Sequence, residues 1–236
     1  MMLDLGAIGK GYAVERAAEI LRDAGITSAL IHGGTSTVHA IGAPPDSETW
    51  KIALEYPAQG SPGNRPPDSL SPPRGEGWGE GSVFRFTEEI RNPPPGGFHS
   101  EVSNQESVPA SPVNAGTEPA SILAVVPLKD EALSVSAPHG RCFTKDGKMF
   151  GHVLDPRSGR PVQGALLAAV VLPSATETDA LSTALLTLGS AGLDRISNLR
   201  SGMRTLVLTC DEKTGERRLE SKGIPIQRPP GVETAS

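Results

Sequence analysis

The sequence is short of the residues that mark several common protein classes. Cysteine occurs only twice, at Cys142 and Cys210, too few and too far apart for a disulfide framework or a thiolate zinc site. Aromatic residues make up 4% of the chain, and Lys plus Arg total 22 against 27 acidic residues, a formal net charge of -5. A nucleic-acid surface needs a basic stripe interleaved with aromatics, and none is present. Nothing approaches the roughly 18–20 continuous apolar residues of a membrane span. No basic segment followed by an apolar core opens the chain, so as written it carries no export signal and reads as cytoplasmic. The first residues, Met-Met-Leu-Asp, run straight into a patterned segment, which leads us to expect the back part of a longer protein.

Proline and glycine are plentiful, at 22 and 27 residues, and unevenly spread. Between residues 58 and 120 they dominate stretches such as QGSPGNRPPDSLSPPRGEGWGEG and NPPPGGFHSEVSNQESVPASPVNAGTEP. Such composition buries too little apolar surface to offset the entropy of ordering, so 58–120 is expected to be a disordered insertion. It divides the chain into a first part, 1–57, and a second, 121–221, with a tail from 222 to 236 expected to fray. YAVERAAEILRDA spaces Val14, Ala17, Ala18 and Leu21 as one helical face, stopped by Gly25. ETDALSTALLTLG predicts a second helix ending at Gly189. Short β-like runs fill most of the rest, and Asp146-Gly147 between two of them signals a hairpin. The continuous apolar run GALLAAVVLP predicts a central buried strand. Two helices and about eight strands on one core make an α+β fold, mostly antiparallel sheet with packed helices.

Residues 6–11, GAIGKG, invite comparison with phosphate loops, yet the spacing fits neither familiar form. A Walker loop places Ser or Thr after its lysine, whereas Lys10 is followed by Gly11 and Tyr12. A dinucleotide fingerprint has its glycines in another order and a buried strand before them. More informative is TETDALSTALLTLG, where Asp179 and Thr183 share one helical face near its N-terminal end. A carboxylate and a hydroxyl presented together are hard oxygen ligands suited to magnesium. The same letters spell a capping box, Thr176-x-x-Asp179, in which Asp179 satisfies orphan amides. On spacing alone the cap has the stronger claim. In GHVLDPRSGRPV, His152 stands beside a tight turn, either as a general base or as a structural residue. Gly33 and Gly34, after His32, either let backbone amides approach a ligand or simply break a strand. His39, His99 and His139 carry little supporting context.

Three motifs in order, DLGAIGKGYAVERAAEIL, HVLDPRSGRP and TDALSTALLTLG, resemble the ApbE family of flavin transferases, the FAD:protein FMN transferases. GITSALIHGGTSTVHAIG and ALSVSAPHGRCF follow the family's course between them, so the resemblance spans everything but the proline-rich stretch and the tail. It implies magnesium-dependent cleavage of FAD, with FMN passed to a threonine of an acceptor protein and AMP released. In some relatives FAD is instead hydrolysed to FMN and AMP. The resemblance makes Asp179 and Thr183 side-chain ligands of Mg2+, with the backbone carbonyl of Gly9 as a third. Lys10 and Ala13 fall on positions lining the FAD site, Leu154 on a flavin neighbour, and His152 on the base that deprotonates the acceptor threonine. Gly33 and Gly34 join them as candidate cofactor contacts through their amides. The chain departs from the pattern at ALSVSA, where the family's Thr-Ser-Gly reads Val135-Ser136-Ala137. Relatives carry a front half upstream of DLGAIGKG, often with a lipoprotein signal that exports or anchors them. A catalytically impaired flavin-binding fragment is therefore the alternative expectation.

Overall fold

The computed structural model describes residues 5–57, 84–86, 122–138, 142–145, 148–211, 214–226 and 233–234. Its centre is β11 (Ala165–Leu172), the strand expected from GALLAAVVLP. After a bulge at its start, Leu167, Ala169 and Val171 point to one side while Ala168, Val170 and Leu172 point to the other. A strand covered on both faces gains nothing from polar alternation, which explains the unbroken apolar run.

β11 pairs antiparallel with β6 (Ala132–Ser136) on one side and β12 (Arg204–Cys210) on the other. Outward from β6 lie β2 (Thr37–Ile41) and β1 (Ala29–Gly33); outward from β12 lie β13 (Arg217–Lys222) and β14 (Glu233–Thr234). Every pairing in this seven-stranded sheet is antiparallel except β13 with β14. Against one face packs a three-stranded sheet in the order β4 (Phe84–Phe86), β3 (Trp50–Glu55), β5 (Ile122–Leu128). The core between the sheets holds Ile52, Leu54, Leu123, Val126, Leu133, Leu167 and Leu206.

Helices cover the other face. α1 (Gly9–Asp23) lies over β1 and β2, and α2 (Ala175–Leu188) lies over β6 and β11. α2 packs Leu185 and Leu186 on Ala168, Val170 and Val207. Gly25 and Gly189 follow the two helices with φ of 84° and 62°, in the left-handed region that ends helices cheaply only at glycine. A short α3 (Leu193–Ser197) adds Leu193 and Ile196 to the same cluster. Two small hairpins, β7 (Cys142–Lys145) with β8 (Lys148–Gly151) and β9 (Leu154–Asp155) with β10 (Arg160–Pro161), complete the fold.

The α+β architecture is as expected, with two corrections of detail. The described residues hold three α-helices and fourteen strands rather than two and about eight, because several strands are only two to four residues long. The tail is packed as far as Ile226: Ile224 is buried and Ile226 bridges to Ala124. Lys145 pairs with Lys148 as the hairpin signal implied, although Asp146 and Gly147 themselves lie outside the described residues. Of the proline-rich stretch, only β4 falls among the described residues. No helix among the described residues is long and apolar enough to cross a membrane.

Candidate functional site

The N-cap expected at Thr176 falls two residues earlier, at Ser174, and Asp179 is not its partner. Ser174 is the N-cap of α2, in extended conformation after Pro173, and its Oγ accepts from the Glu177 amide at 3.1 Å. Thr176 lies inside the helix and donates its amide to Glu15 Oε2 of α1 at 2.8 Å. The Ser174 hydroxyl donates to the same oxygen at 2.9 Å. Asp179 thus has no part in capping its own helix.

Asp179 instead caps the other one. α1 has Ile8 at its N-cap, with no side-chain hydrogen bond and no acidic residue in its first turn. The Gly11 amide donates to Asp179 Oδ2 at 2.9 Å across 168 residues of sequence, and the Lys10 amide and Thr37 hydroxyl also donate to the carboxylate. α1 and α2 therefore cap each other, Glu15 serving α2 and Asp179 serving α1. The exchange needs close approach. A Cβ at Gly11 would fall 2.2 Å from the Ala175 carbonyl oxygen and 2.7 Å from Asp179 Cβ.

The two carboxylates respond differently. Asp179 is 5% exposed, and burial raises its pKa despite the Gly11 amide, the charge of Lys10, the Lys10 amide and the Thr37 hydroxyl. Glu15 is less enclosed; burial pushes its pKa up, but the bonds from Thr176 and Ser174 outweigh it and the net shift is downward. A carboxylate whose burial is incompletely compensated is one that an added cation would relieve.

Thr183 lies one turn beyond Asp179, at the end of a seam of hydroxyls. Alternation along β6 sends Leu133 and Val135 into the core and Ser134 and Ser136 toward α2. Ser134 meets Thr178 at 2.8 Å and Thr37 at 3.2 Å. Ser136 meets Ser182 at 2.8 Å and Thr183 at 3.0 Å. Sequence reading missed Glu15, Thr37, Ser134, Thr178 and Ser182. The signal available was the period-2 pattern of ALSVSA facing hydroxyls at helical spacing on α2.

The other expected site residues are spread around this centre. Gly33 packs on α1, where a Cβ would lie 2.8 Å from Val14 Cγ2 and 3.9 Å from Lys10 Cβ. Gly9 and Gly34 face open space, and Lys10 and Ala13 are exposed. His152 and Leu154 are exposed on the segment that runs from the end of β8 through β9 to the turn before β10. That segment is tied to the site at three places. Gly151 abuts the Pro138 carbonyl two residues past Ser136, Val153 packs against the buried cluster that also holds Leu185 and Leu186 of α2, and Arg157 donates to Thr187 O at 3.3 Å. Arg157 also clamps Asp155 and holds its carboxyl below the usual range.

His39, set aside in the sequence, is buried beneath α1 at 2% exposure. Its Nε2 lies 3.1 Å from Arg22 Nη2, and since a guanidinium only donates, Nε2 accepts and the proton sits on Nδ1. Burial, then the Arg22 charge, lower its pKa to about 4, against the pull of Glu15 and Asp130. Among the described residues no group of three or more His, Cys, Asp and Glu side chains is gathered as if for a metal. The donor set at Asp179 is of another kind, a single carboxylate beside a hydroxyl.

Comparison with known proteins agrees with this architecture. The family model described as "ApbE family" matches residues 1–71 and 102–207, interrupted within the proline-rich stretch. The FAD:protein FMN transferase of Escherichia coli (strain K12) is 21% identical over 210 residues, covering 89% of this chain and 43% of that protein. The FAD:protein FMN transferase of Rhodobacter capsulatus is 24% identical, covering 90% of this chain and 29% of its own length. The apo crystal structure of the Pseudomonas stutzeri flavinyl transferase ApbE matches with a TM-score of 0.56 at 23% identity, covering 94% of this chain and 49% of that one. The flavin transferase ApbE from Vibrio cholerae matches with a TM-score of 0.57 at 18% identity, covering 94% and 50%. The chain thus spans half or less of the length of these relatives. With the family model matched over well more than half of its residues, on the fold its own packing dictates, this chain belongs to the ApbE family.

Proposed function

We propose that this chain takes part in flavin transfer, moving FMN from FAD to a threonine hydroxyl of an acceptor protein with release of AMP. One observation carries the reading most: Asp179, an acid with an upward-shifted pKa, is held beside Lys10 and one turn from Thr183. A structural cap has no need of that charge. Asp179, the Thr183 hydroxyl and the Gly9 carbonyl would hold a Mg2+ ion, and their all-oxygen donor set suits it. When bound, such an ion supplies charge neutralisation for the bridging phosphates of FAD. Lys10, exposed at the start of α1, would pair with a phosphate. Ala13, Leu154 and the amides of Gly33 and Gly34 would line the flavin nucleotide. His152, on its exposed segment, would take the proton of the incoming hydroxyl. Because His152 is open to solvent, water can occupy the same position, so hydrolysis of FAD to FMN and AMP is the second reading.

Incubation with FAD, MgCl2 and a threonine-bearing acceptor peptide tests both. Covalent flavin fluorescence on the peptide together with AMP is the expected result, abolished in Asp179→Asn. AMP without labelled peptide would favour hydrolysis, and neither product would overturn catalysis by this chain.

A further inference from the structure

We propose that Ser136 is a positioning residue for Thr183: by taking the Thr183 proton it leaves the lone pairs of that hydroxyl for a cation. The inference rests on the reading of Asp179 and Thr183 as ligands. Ser136, Ser182 and Thr183 have one hydroxyl proton each, yet four short contacts join them to one another and to the Asp179 carbonyl. Ser182 Oγ lies 3.0 Å and Thr183 Oγ1 lies 3.2 Å from that carbonyl, and Ser136 Oγ lies 2.8 Å from Ser182 and 3.0 Å from Thr183. Three protons cannot fill four contacts. The Asp179 carbonyl also serves the regular helix ladder, so it cannot take both hydroxyls well.

Two circuits use each proton once. In one, Ser182 donates to Ser136, Ser136 to Thr183, and Thr183 to the carbonyl, which occupies a Thr183 lone pair. In the other, Thr183 donates to Ser136, Ser136 to Ser182, and Ser182 to the carbonyl, which leaves both Thr183 lone pairs unused. The second omits the longest of the four contacts. A hydroxyl bound to a cation also becomes a stronger donor, and Ser136 is the acceptor placed to receive its proton. Ser136 comes from alternation in β6 rather than from α2, so the sheet sets the orientation of a group on the helix.

Mn2+ binding, read from the loss of the free-ion EPR signal, tests this on the full chain. Ser136→Ala should weaken Mn2+ by about fivefold, the worth of one ordinary hydrogen bond, and Ser136→Thr should bind as the parent does. On a Thr183→Ala background, Ser136→Ala should change nothing, since the two act as a unit. Unfolding midpoints without metal show whether each variant is folded. If Ser136→Ala is not, the isosteric pair Ser136→Thr and Ser136→Val poses the same question, and only the valine chain should bind weakly. Equal Mn2+ affinity with and without the Ser136 hydroxyl, while Asp179→Asn abolishes binding, would overturn the positioning role alone. A parent chain that binds no Mn2+ would overturn it together with the metal reading.

Discussion

Replacing Gly11 by alanine should destabilise the chain, whereas the same change at Gly9 should do little. Alanine is the better helix former by about 1 kcal/mol, so propensity alone favours both substitutions. Their surroundings decide the sign. A methyl at Gly9 meets nothing within 4 Å, but one at Gly11 falls 2.2 Å from the Ala175 carbonyl oxygen and 2.7 Å from Asp179 Cβ. Neither is the loose end of a flexible side chain, so α1 and α2 must move apart. Overpacking of this kind costs about 1–3 kcal/mol. Drawing the Gly11 amide away from the Asp179 carboxylate forfeits a further ~1.5–3 kcal/mol, the worth of a bond to a charged group. Less the propensity gain, Gly11→Ala should lose roughly 1.5–5 kcal/mol. Urea unfolding followed by circular dichroism measures both variants. A Gly11→Ala chain as stable as Gly9→Ala would refute the close crossing of the helices and the cap that depends on it.

The other half of the exchange is tested at Glu15. Both donors reach its Oε2, so Glu15→Gln should keep most of the stability while Glu15→Ala loses about 1–2 kcal/mol by the same unfolding measurement, as lost caps do. His39 should impose a pH dependence. Its folded pKa of about 4 lies below its unfolded value of 6.5, so its contribution to stability is complete above pH 6.5 and declines as pH falls toward about 4. That slope, worth at most about 3 kcal/mol, should disappear in His39→Gln. Finally, Glu55 of β3 pairs with Ile122 of β5, so the chain leaves and re-enters the small sheet at neighbouring points on the face opposite the helices. Replacing residues 58–120 by a four-residue turn removes β4 and its pairing with β3, so it should lower the unfolding midpoint modestly while leaving Mn2+ binding unchanged.

What could be read from the sequence was local. The helix around Val14, Ala18 and Leu21, the stop at Gly189 and the doubly buried β11 all follow from periodicity and from glycine's freedom at positive φ. The pairing of Lys145 with Lys148 followed from the flanks of a two-residue turn. The choice of cap did not, because Ser174 and Thr176 both suit an N-cap, and what separates them lies on another helix. Glu15 occupies the Thr176 amide from 161 residues away, and no window along the chain contains both groups. The cap read at Asp179 falls on the other helix for the same reason. The orphan amides nearest to Asp179 in sequence belong to α2, while the nearest in space belong to α1. The resemblance supplied Asp179 and Thr183 as a pair but not the serines behind them, whose meaning depends on which strand faces which helix.

Asp179 separates what the fold requires from what chemistry would require. To cap α1 it needs an acceptor, and an asparagine carbonyl oxygen would serve the Gly11 amide in the same place. The carboxylate adds charge, and burial makes that charge costly: the raised pKa means that stability is lost as pH rises through it, so at neutral pH the folded state bears a penalty. Asp179→Asn should therefore unfold at the same or a higher urea concentration at neutral pH, with the difference vanishing in acid. It should also bind no Mn2+ and transfer no flavin. A variant that gains stability while losing the cation would mark Asp179 as kept for its charge. One that loses stability and cation together would mark the ionised carboxylate as part of the cap.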